Sequence, residues 1–554
     1  NSAFMNMLKR EENANYRQVL KNVLEFDPQI LKRFVNFMNN PDEEPAAAQF
    51  GKDDKYFGVC VMMATLPGLP MFGHGQVEGF TEKYGMEYSR AYGRESADQG
   101  LIDRHYREIF PLLRRRRLFS GVEEFLLYDA ADAHGHVQHD IFAYSNGAEG
   151  VRALVIFNNR YGQSAGWVHH SVPYRPQADG PAPTRKTLAQ GLGLGSGDWC
   201  LFRDLTTGLE YVRPAAELRG RGLYVELGAY KHHVFSDFRV VPDDASGEMA
   251  RLHQRLGGRG APSLEQAIWE IKLSYVLEVY ARLLSPLAFK GFTTLVRTSL
   301  GSEPEREAFY AVFETQLGEF IRQSGKVSTV RMDEKSLRHW ARGRLRTTVE
   351  FLGHDAFKRM QETRPGRRFL AAVEAEKLDC SLATEEGLCL FYSLLVVESV
   401  SKVVDHQPAR ELFLSRLQEA LENTGLEEAP AYRLTQLVRI LTDEPGRALA
   451  ALGDLASFRS YLERPEVLQY LGCHWHSDVF WFVKERLQAL LYWMFSVSVL
   501  ERGLSSNTRA WGYRRSLLAW AGTAARALDL AERSGYDFNR FLDALAEGPE
   551  LFSQ

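Results

Sequence analysis

Two stretches decide the reading of this chain: RFVNFMNNPDEEPA (Arg33–Ala46) and ATLPGLPMFGHGQVEGF (Ala64–Phe80). Each is a short apolar run that empties into Gly, Asn, Pro and polar or charged residues. That is the pattern of a buried parallel strand ending in a functional loop. Between them, KDDKYFGVCVMMATL (Lys52–Leu66) is apolar nearly all round, with Phe57, Cys60, Val61 and Ala64 on one face. Strand, loop, buried helix, strand and loop make one right-handed βαβ unit. Its two polar loops fall on the same edge, past the carboxyl ends of the strands, where α/β folds hold their ligands.

Outward from this unit the chain changes character twice. Before it, residues 14–25 read as an amphipathic helix with Tyr16, Val19, Leu20, Val23 and Leu24 on one stripe, stopped by Asp27-Pro28. After it come a polar, aromatic loop, TEKYGMEYSRAYGRE (Thr81–Glu95), and a helix over Gln99–Arg116. From Leu118 to about Val241 the period is two: seven strands (in GVEEFLLYD, HVQHDIFAYS, VRALVIFNNR, AGWVHHSVPY, DWCLFRDLTT, GLYVEL and KHHVFSDFRVV) predict an antiparallel β-sandwich. Arg175–Gly197, rich in Pro, Ala and Gly, reads as a mobile insertion; its glycines match no phosphate-cradling motif. Residues 242–554 are helical almost throughout. One stripe is Ile268, Ile271, Tyr275, Val279 and Leu283, and further helices are read over Glu305–Arg322, Glu386–Val404, Glu411–Glu422 and Val479–Leu500. The architecture expected is therefore multidomain: α/β over 1–117, all-β over 118–241 and all-α over 242–554.

Composition sets limits on partners and compartment. The chain has 554 residues, 45% hydrophobic and 25% charged, which describes a packed globular protein of several domains. A net charge of −4 gives no long-range pull toward nucleic acid or anionic lipid. The Arg114–Arg117 run reads as a solvated helix C-terminus, where cations are favoured. Cys60, Cys200, Cys380, Cys389 and Cys473 follow no regular spacing, which argues against a disulfide framework and leans toward a reducing, cytoplasmic compartment. The apolar stretch Leu487–Leu500 is too short to span a bilayer.

FMNNPDE followed by LPGLPMFGHGQ resembles the last two barrel strands of the α-amylase family, glycoside hydrolase family 13. That family's seventh strand ends in Phe-x-x-Asn-His-Asp, and Phe37, Met38, Asn39, Asn40, Pro41 and Asp42 occupy those places. Its eighth strand follows a Pro-Gly-small-Pro turn and ends in Gly, as Pro67–Gly75 does, and HYREIFPLLRRRRLFSG (His105–Gly121) is similar to its final barrel helix. The resemblance implies strands seven and eight of a (β/α)8 barrel in 1–117, followed by the small β-sandwich that the family carries after its barrel. Asn1–Arg10 then follows the sixth strand, so strands one to six, the missing N-terminal part of the same polypeptide, are expected upstream.

Retaining hydrolysis of a glycoside needs two carboxyl groups about 5 Å apart, one nucleophile and one acid. A further fixed negative charge steadies the oxocarbenium-like transition state. The resemblance makes Asp42 that third carboxylate. The nucleophile and acid belong to strands four and five, outside this sequence, so the chain alone is expected not to turn over glucan. Asn40, His74, Gln76, Tyr84 and Tyr88 are the expected contacts to an α-glucan or maltooligosaccharide, with His74 standing in for the family histidine that Pro41 replaces. The tyrosines present flat apolar faces with a polar tip, and with Tyr92 their spacing of four is equally that of a helix packing one face. No cofactor and no metal is expected. Cys473, His474, His476 and Asp478 crowd together, as do His134, His136 and His139, but neither group has a second ligand pair at zinc spacing. The alternative reading is a non-catalytic sugar-binding remnant fused to a helical protein-interaction scaffold.

Overall fold

The structure, a computed structural model, describes residues 2–83, 92–176, 182–244, 246–298, 302–327, 333–353, 384–404, 406–442, 450–504 and 510–547. It divides into two units, Asn1–Ile268 and Trp269–Gln554. Each has its own hydrophobic core.

The first unit begins with α1 (Ser2–Lys9) and α2 (Asn13–Phe26). The stripe on α2 buries Tyr16, Leu20 and Leu24 as its spacing requires, and it also buries Arg17. A buried guanidinium is costly unless its N–H groups find acceptors, and here the two terminal nitrogens do while the Nε finds none among the described residues. Arg17 donates to the carbonyls of Ile141 (2.9 Å) and Tyr128 (2.8 Å) and to the Asp129 carboxylate (2.6 Å), which ties the helix to the sheet. Asp27 ends α2, and its side chain accepts from the Gln29 N–H at 3.0 Å to open a short 3-10 turn, Pro28–Arg33.

Next comes the βαβ unit. β1 (Val35–Phe37) pairs in parallel with β2 (Leu69–Met71), Val35 opposite Leu69 and Phe37 opposite Met71. Between them lie α3 (Ala46–Phe50) and α4 (Asp54–Thr65), the latter buried on every side from Tyr56 to Thr65. Its all-round apolar composition has that consequence, since no face is left for water. Gly58 allows the close approach, because a Cβ there would lie 2.0 Å from the Phe157 ring.

The helix expected over Gln99–Arg116 is three pieces: α5 (Gln99–Glu108), α6 (Phe110–Arg114) and α7 (Arg116–Ser120). Pro111 sits at the start of α6. It has no N–H to continue α5, so the helix restarts there. Arg116 is not a solvated end of its own helix. It donates to the carbonyls of Ala64 (2.9 Å), Leu66 (2.9 Å) and Gly68, capping α4 and fixing the lead into β2.

The strands form one continuous antiparallel sheet rather than the two sheets of a sandwich. They are β3 (Leu126–Ala131), β4 (Ile141–Ala148), β5 (Val151–Asn158), β6 (Ser164–Ser171), β7 (Trp199–Asp204), β8 (Glu210–Pro214), β9 (Leu223–Leu227) and β10 (His232–Val241), in the order β8-β7-β10-β5-β4-β3-β6-β9. Register shifts in β3, between Tyr128 and Ala130, and in β10, between Ser236 and Arg239, bend the sheet so that it curls. Curling, together with α4 and α7 packed against β4 and β5, accounts for the uninterrupted burial of Ile141–Asn146 and 153–158. β8 escaped the sequence reading because EYVRP is a half-exposed edge strand with one buried residue, Val212. The segment read as a mobile insertion contains an ordered turn, α8 (Leu188–Gly191), closed by a Thr187–Gln190 capping box and packed so that a Cβ on Gly191 would lie 2.0 Å from the Tyr128 hydroxyl. α9 (Ala215–Gly220) and α10 (Glu248–Leu256) complete the unit.

The second unit is helical, with α11 (Leu264–Lys272) at the boundary, then α12 (Ser274–Leu283), α13 (Pro286–Arg297), α14 (Glu303–Ser324) and α15 (Glu334–Gly353), and further helices from Glu385–Ser401 to Phe538–Glu547. The expected stripe Ile268–Leu283 is broken at Leu273, so its phase is lost and Tyr275 is exposed while Val276, Val279, Tyr280 and Leu283 are buried. The helix read from Val479 begins at Lys484, because β11 (His474–His476) and β12 (Val479–Trp481) form a hairpin through Ser477 and Asp478, both at positive φ. Trp493 is helix core, whereas Trp475 is exposed on that hairpin and stacks on Phe480. Among the described residues no helix is long and apolar enough to cross a membrane.

Candidate functional site

The parallel pairing of β1 and β2 brings the two loops of interest together. A Cβ on Gly73 would lie 2.3 Å from the Asn39 side chain, so the first residues beyond the strands are in direct contact. Glycine is required there by space alone. Asn39 is buried, and its Oδ1 has no hydrogen-bond partner among the described residues.

The first loop turns at once. The Asn40 Oδ1 accepts from the backbone N–H groups of Asp42 and Glu43, both at 3.0 Å, an Asx turn that Pro41 pre-shapes through its fixed φ. Asn40 is thus committed to the backbone. Asp42 is exposed, and its carboxylate makes no hydrogen bond or ion pair among the described residues. The Gln49 amide anchors the loop from behind, donating to the carbonyls of Glu44 (2.7 Å) and Met38 (3.2 Å).

The second loop is held from below. Gln76 is buried; its Oε1 accepts from the Gly73 N–H at 3.1 Å and its Nε2 faces the Met38 sulfur at 3.4 Å. The Tyr56 hydroxyl donates to the Gln76 carbonyl at 2.7 Å and lies 3.2 Å from His105 Nε2, while His105 Nδ1 meets the Leu101 carbonyl at 2.9 Å. Burial lowers the pKa of His105 below the ordinary histidine value, which favours the neutral ring. His74 is exposed at the tip, its ring 6.2 Å from that of Phe80. Further along, Glu95 accepts from Thr81 and the Glu82 N–H, and Glu82 accepts from the N–H groups of Tyr92 (2.6 Å) and Gly93 (2.8 Å), so both carboxylates are used in closing the loop. Tyr92 is exposed; Tyr84 and Tyr88 lie outside the described residues.

Sequence reasoning missed the buried charge of this unit. Asp204 is wholly buried and accepts from His233 Nδ1 (2.9 Å), the Thr207 hydroxyl (2.7 Å) and the N–H groups of Thr206 (3.0 Å) and Val234 (3.1 Å). Burial pushes its pKa up, but these bonds, led by His233, outweigh that and hold it below the usual carboxylate range. Arg104 joins Asp54 (2.7 Å) to Glu108 (2.8 Å) across two helices, and Lys231 reaches Asp54 from the sheet at 2.6 Å. His232, beside Glu108, is pushed down to about 4 chiefly by burial. Apart from Arg104–Glu108, an i,i+4 pair on α5, each of these pairs joins residues distant in the chain, so nothing in the local sequence marks it.

Chemically, the strand-end edge offers an open carboxylate on a stiff turn: a fixed negative charge able to accept from hydroxyls or to steady a developing cation. Among the described residues no three Cys, His, Asp or Glu side chains come together to hold a metal ion.

No protein-family model matches the chain, and no curated protein matches it. Among solved structures it is similar to the α-amylase from Geobacillus thermoleovorans complexed with acarbose, at 12% identity and a TM-score of 0.26 over 38% of this chain and 39% of that one. It is likewise similar to the Nostoc punctiforme debranching enzyme, at 12% identity and 0.26 over 40% and 38%, and to the α-amylase from H. orenii, at 13% and 0.26 over 42% and 47%. The chain therefore spans less than half the length of each of these structures.

Proposed function

We propose that this chain is part of an α-amylase-type glycoside hydrolase or glucanotransferase that acts on α-linked glucans with retention of configuration. Asp42 is the carboxylate that orients the sugar at the reacting subsite and stabilises its transition state. Residues 1–117 supply the last two βα units of the catalytic barrel, 118–241 the β domain behind it, and 242–554 a helical domain. His74, from the neighbouring loop, is the sugar contact in place of the histidine that Pro41 replaces.

The observation that carries this reading is the open Asp42 carboxylate at the carboxyl end of β1, without a partner among the described residues and held by the Asn40 turn beside the loop after β2. The Phe37-x-x-Asn40-x-Asp42 spacing supports it independently. Asn40 and Gln76 act by shaping the two loops.

The test is maltooligosaccharide turnover by the intact polypeptide. Asp42→Asn should lower kcat by a factor of about 100 or more, the loss typical of removing one group aimed at transition-state charge. Unchanged turnover in that variant would remove Asp42 from the chemistry. Maltotriose binding without turnover in the intact wild type would favour the sugar-binding remnant instead, a reading that Pro41 motivates.

A further inference from the structure

Far along the first unit from Asp42 in sequence, the β3–β6–β9 side of the sheet carries a cleft of 390 Å³. Its lining includes Asp129, Asp132, Trp167, His170, Arg185 and Arg221. The volume falls within the range of small-ligand sites.

The charge of the cleft is set by which groups are already spent. Asp129 is neutralised by Arg17 at 2.6 Å and Lys21 at 3.1 Å. Asp132 accepts from the N–H groups of His134 and His136, both at 2.9 Å, and holds the β3–β4 turn. Arg185 and Arg221 are exposed and make no ion pair among the described residues. Arg221 is nonetheless positioned, because its guanidinium carbon lies 4.1 Å from the centroid of the Trp167 ring, which itself packs at 5.4 Å on Tyr224. Stacking fixes the plane of a guanidinium and leaves its N–H fork available. His169 and His170 stand side by side, ring centroids 4.0 Å apart, and the enclosed His169 Nε2 has no hydrogen-bond partner among the described residues.

We propose that this cleft binds a small phosphate monoester, with Arg221 and Arg185 clamping the phosphate and the imidazoles meeting the rest of the molecule. Two arginines without an ion pair among the described residues, one of them held over the Trp167 ring, outweigh the single charge of Asp132 and suit the bidentate geometry that phosphate oxygens accept. A cleft of 390 Å³ has room for more than the phosphate alone, which selects an ester with a sugar-sized group over the free ion. The site is separate from the strand-end edge and does not rest on the glucan reading.

The experiment is calorimetric titration of the chain with glucose 1-phosphate, inorganic phosphate and glucose. Glucose 1-phosphate should bind most tightly, inorganic phosphate more weakly, and glucose not measurably. Arg221→Ala and Arg185→Ala should each weaken glucose 1-phosphate binding by a factor of about ten or more, as expected for losing hydrogen bonds to a charged group. Arg251→Ala, at an exposed arginine on α10, should leave it unchanged. Inorganic phosphate binding as tightly as the ester would overturn the ester assignment. No binding, or an equal loss in the Arg251 variant, would overturn the site. Both cleft arginines are exposed, and matching thermal midpoints for the variants exclude misfolding as the cause of any loss.

Discussion

Asp42 and Asp204 are two aspartates of one unit with opposite fates. Asp42 sits on a turn at a strand end, open to solvent, its carboxylate without a partner among the described residues. Asp204 ends β7 wholly buried, its oxygens accepting from one imidazole, one hydroxyl and two backbone N–H groups. The same side chain is a candidate for ligand chemistry in one place and a structural tie in the other. The difference lies in what the surrounding chain has left unsatisfied. A carboxylate with its acceptor sites filled has nothing to offer a substrate, and one without partners contributes little to folding.

Substitution should separate the two sharply. Asp204→Ala strands His233, Thr207 and two buried N–H groups, and should cost about 3 kcal/mol or more in chemical denaturation. A smaller loss would mean that water replaces the carboxylate and that the burial contrast is overstated. Gln76→Ala, at the buried position of the second loop, leaves the Gly73 N–H without its acceptor and should cost about 2 kcal/mol by the same measurement. Acid should act through Asp204 as well. Its folded pKa lies below the unfolded value, so its contribution is fully present above the unfolded pKa, about 3.9, and is lost as pH falls through the folded value. Wild-type stability should therefore decline in that window, and Asp204→Asn should flatten that decline. Asp42→Asn should leave the denaturation midpoint unmoved while affecting sugar turnover, the smallest stability effect of the series. A clear shift in its midpoint would show that Asp42 has a structural partner after all.

Much of the first unit was readable in advance for local reasons. A strand in a one-sided sheet shows its burial every second residue and an all-round buried helix is apolar all round, so α4 and most strands of the sheet follow from composition, and β1 and β2 from their short apolar runs; β2, read as buried, instead leaves Leu69 60% exposed and Pro70 and Met71 half-buried. Breaks were harder. Pro111 splits the helix after Gln99, and Leu273 dephases the stripe from Ile268 to Leu283, because a single residue that ends a hydrogen-bond ladder is invisible to an average over a window. Edge strands were harder still: β8 was missed because EYVRP shows one buried residue.

At the strand-end edge, the places of Asp42 and His74 in the loops after β1 and β2 were legible because each follows its strand directly; the chemical roles given to them stay proposals. The roles of Asn40 and Gln76 were not legible, since whether an amide faces a ligand or its own backbone depends on the turn it makes. The Asp204–His233 pair and the Arg185–Arg221 cleft join residues far apart in the chain and carry no local signature.

The amino-acid order alone determined most of the strands and helices and the parallel pairing of β1 with β2, because periodicity and loop length are properties of a single segment; it did not determine β8, the β11–β12 hairpin or the helix breaks. The joining of β3 through β10 in one curled sheet, the capping of α4 by Arg116 and the choice of which carboxylate is buried or open were decided by tertiary structure. Each depends on hydrogen-bond partners supplied from elsewhere, and a polar side chain becomes structural or available only when the rest of the fold has filled its bonds or left them unfilled.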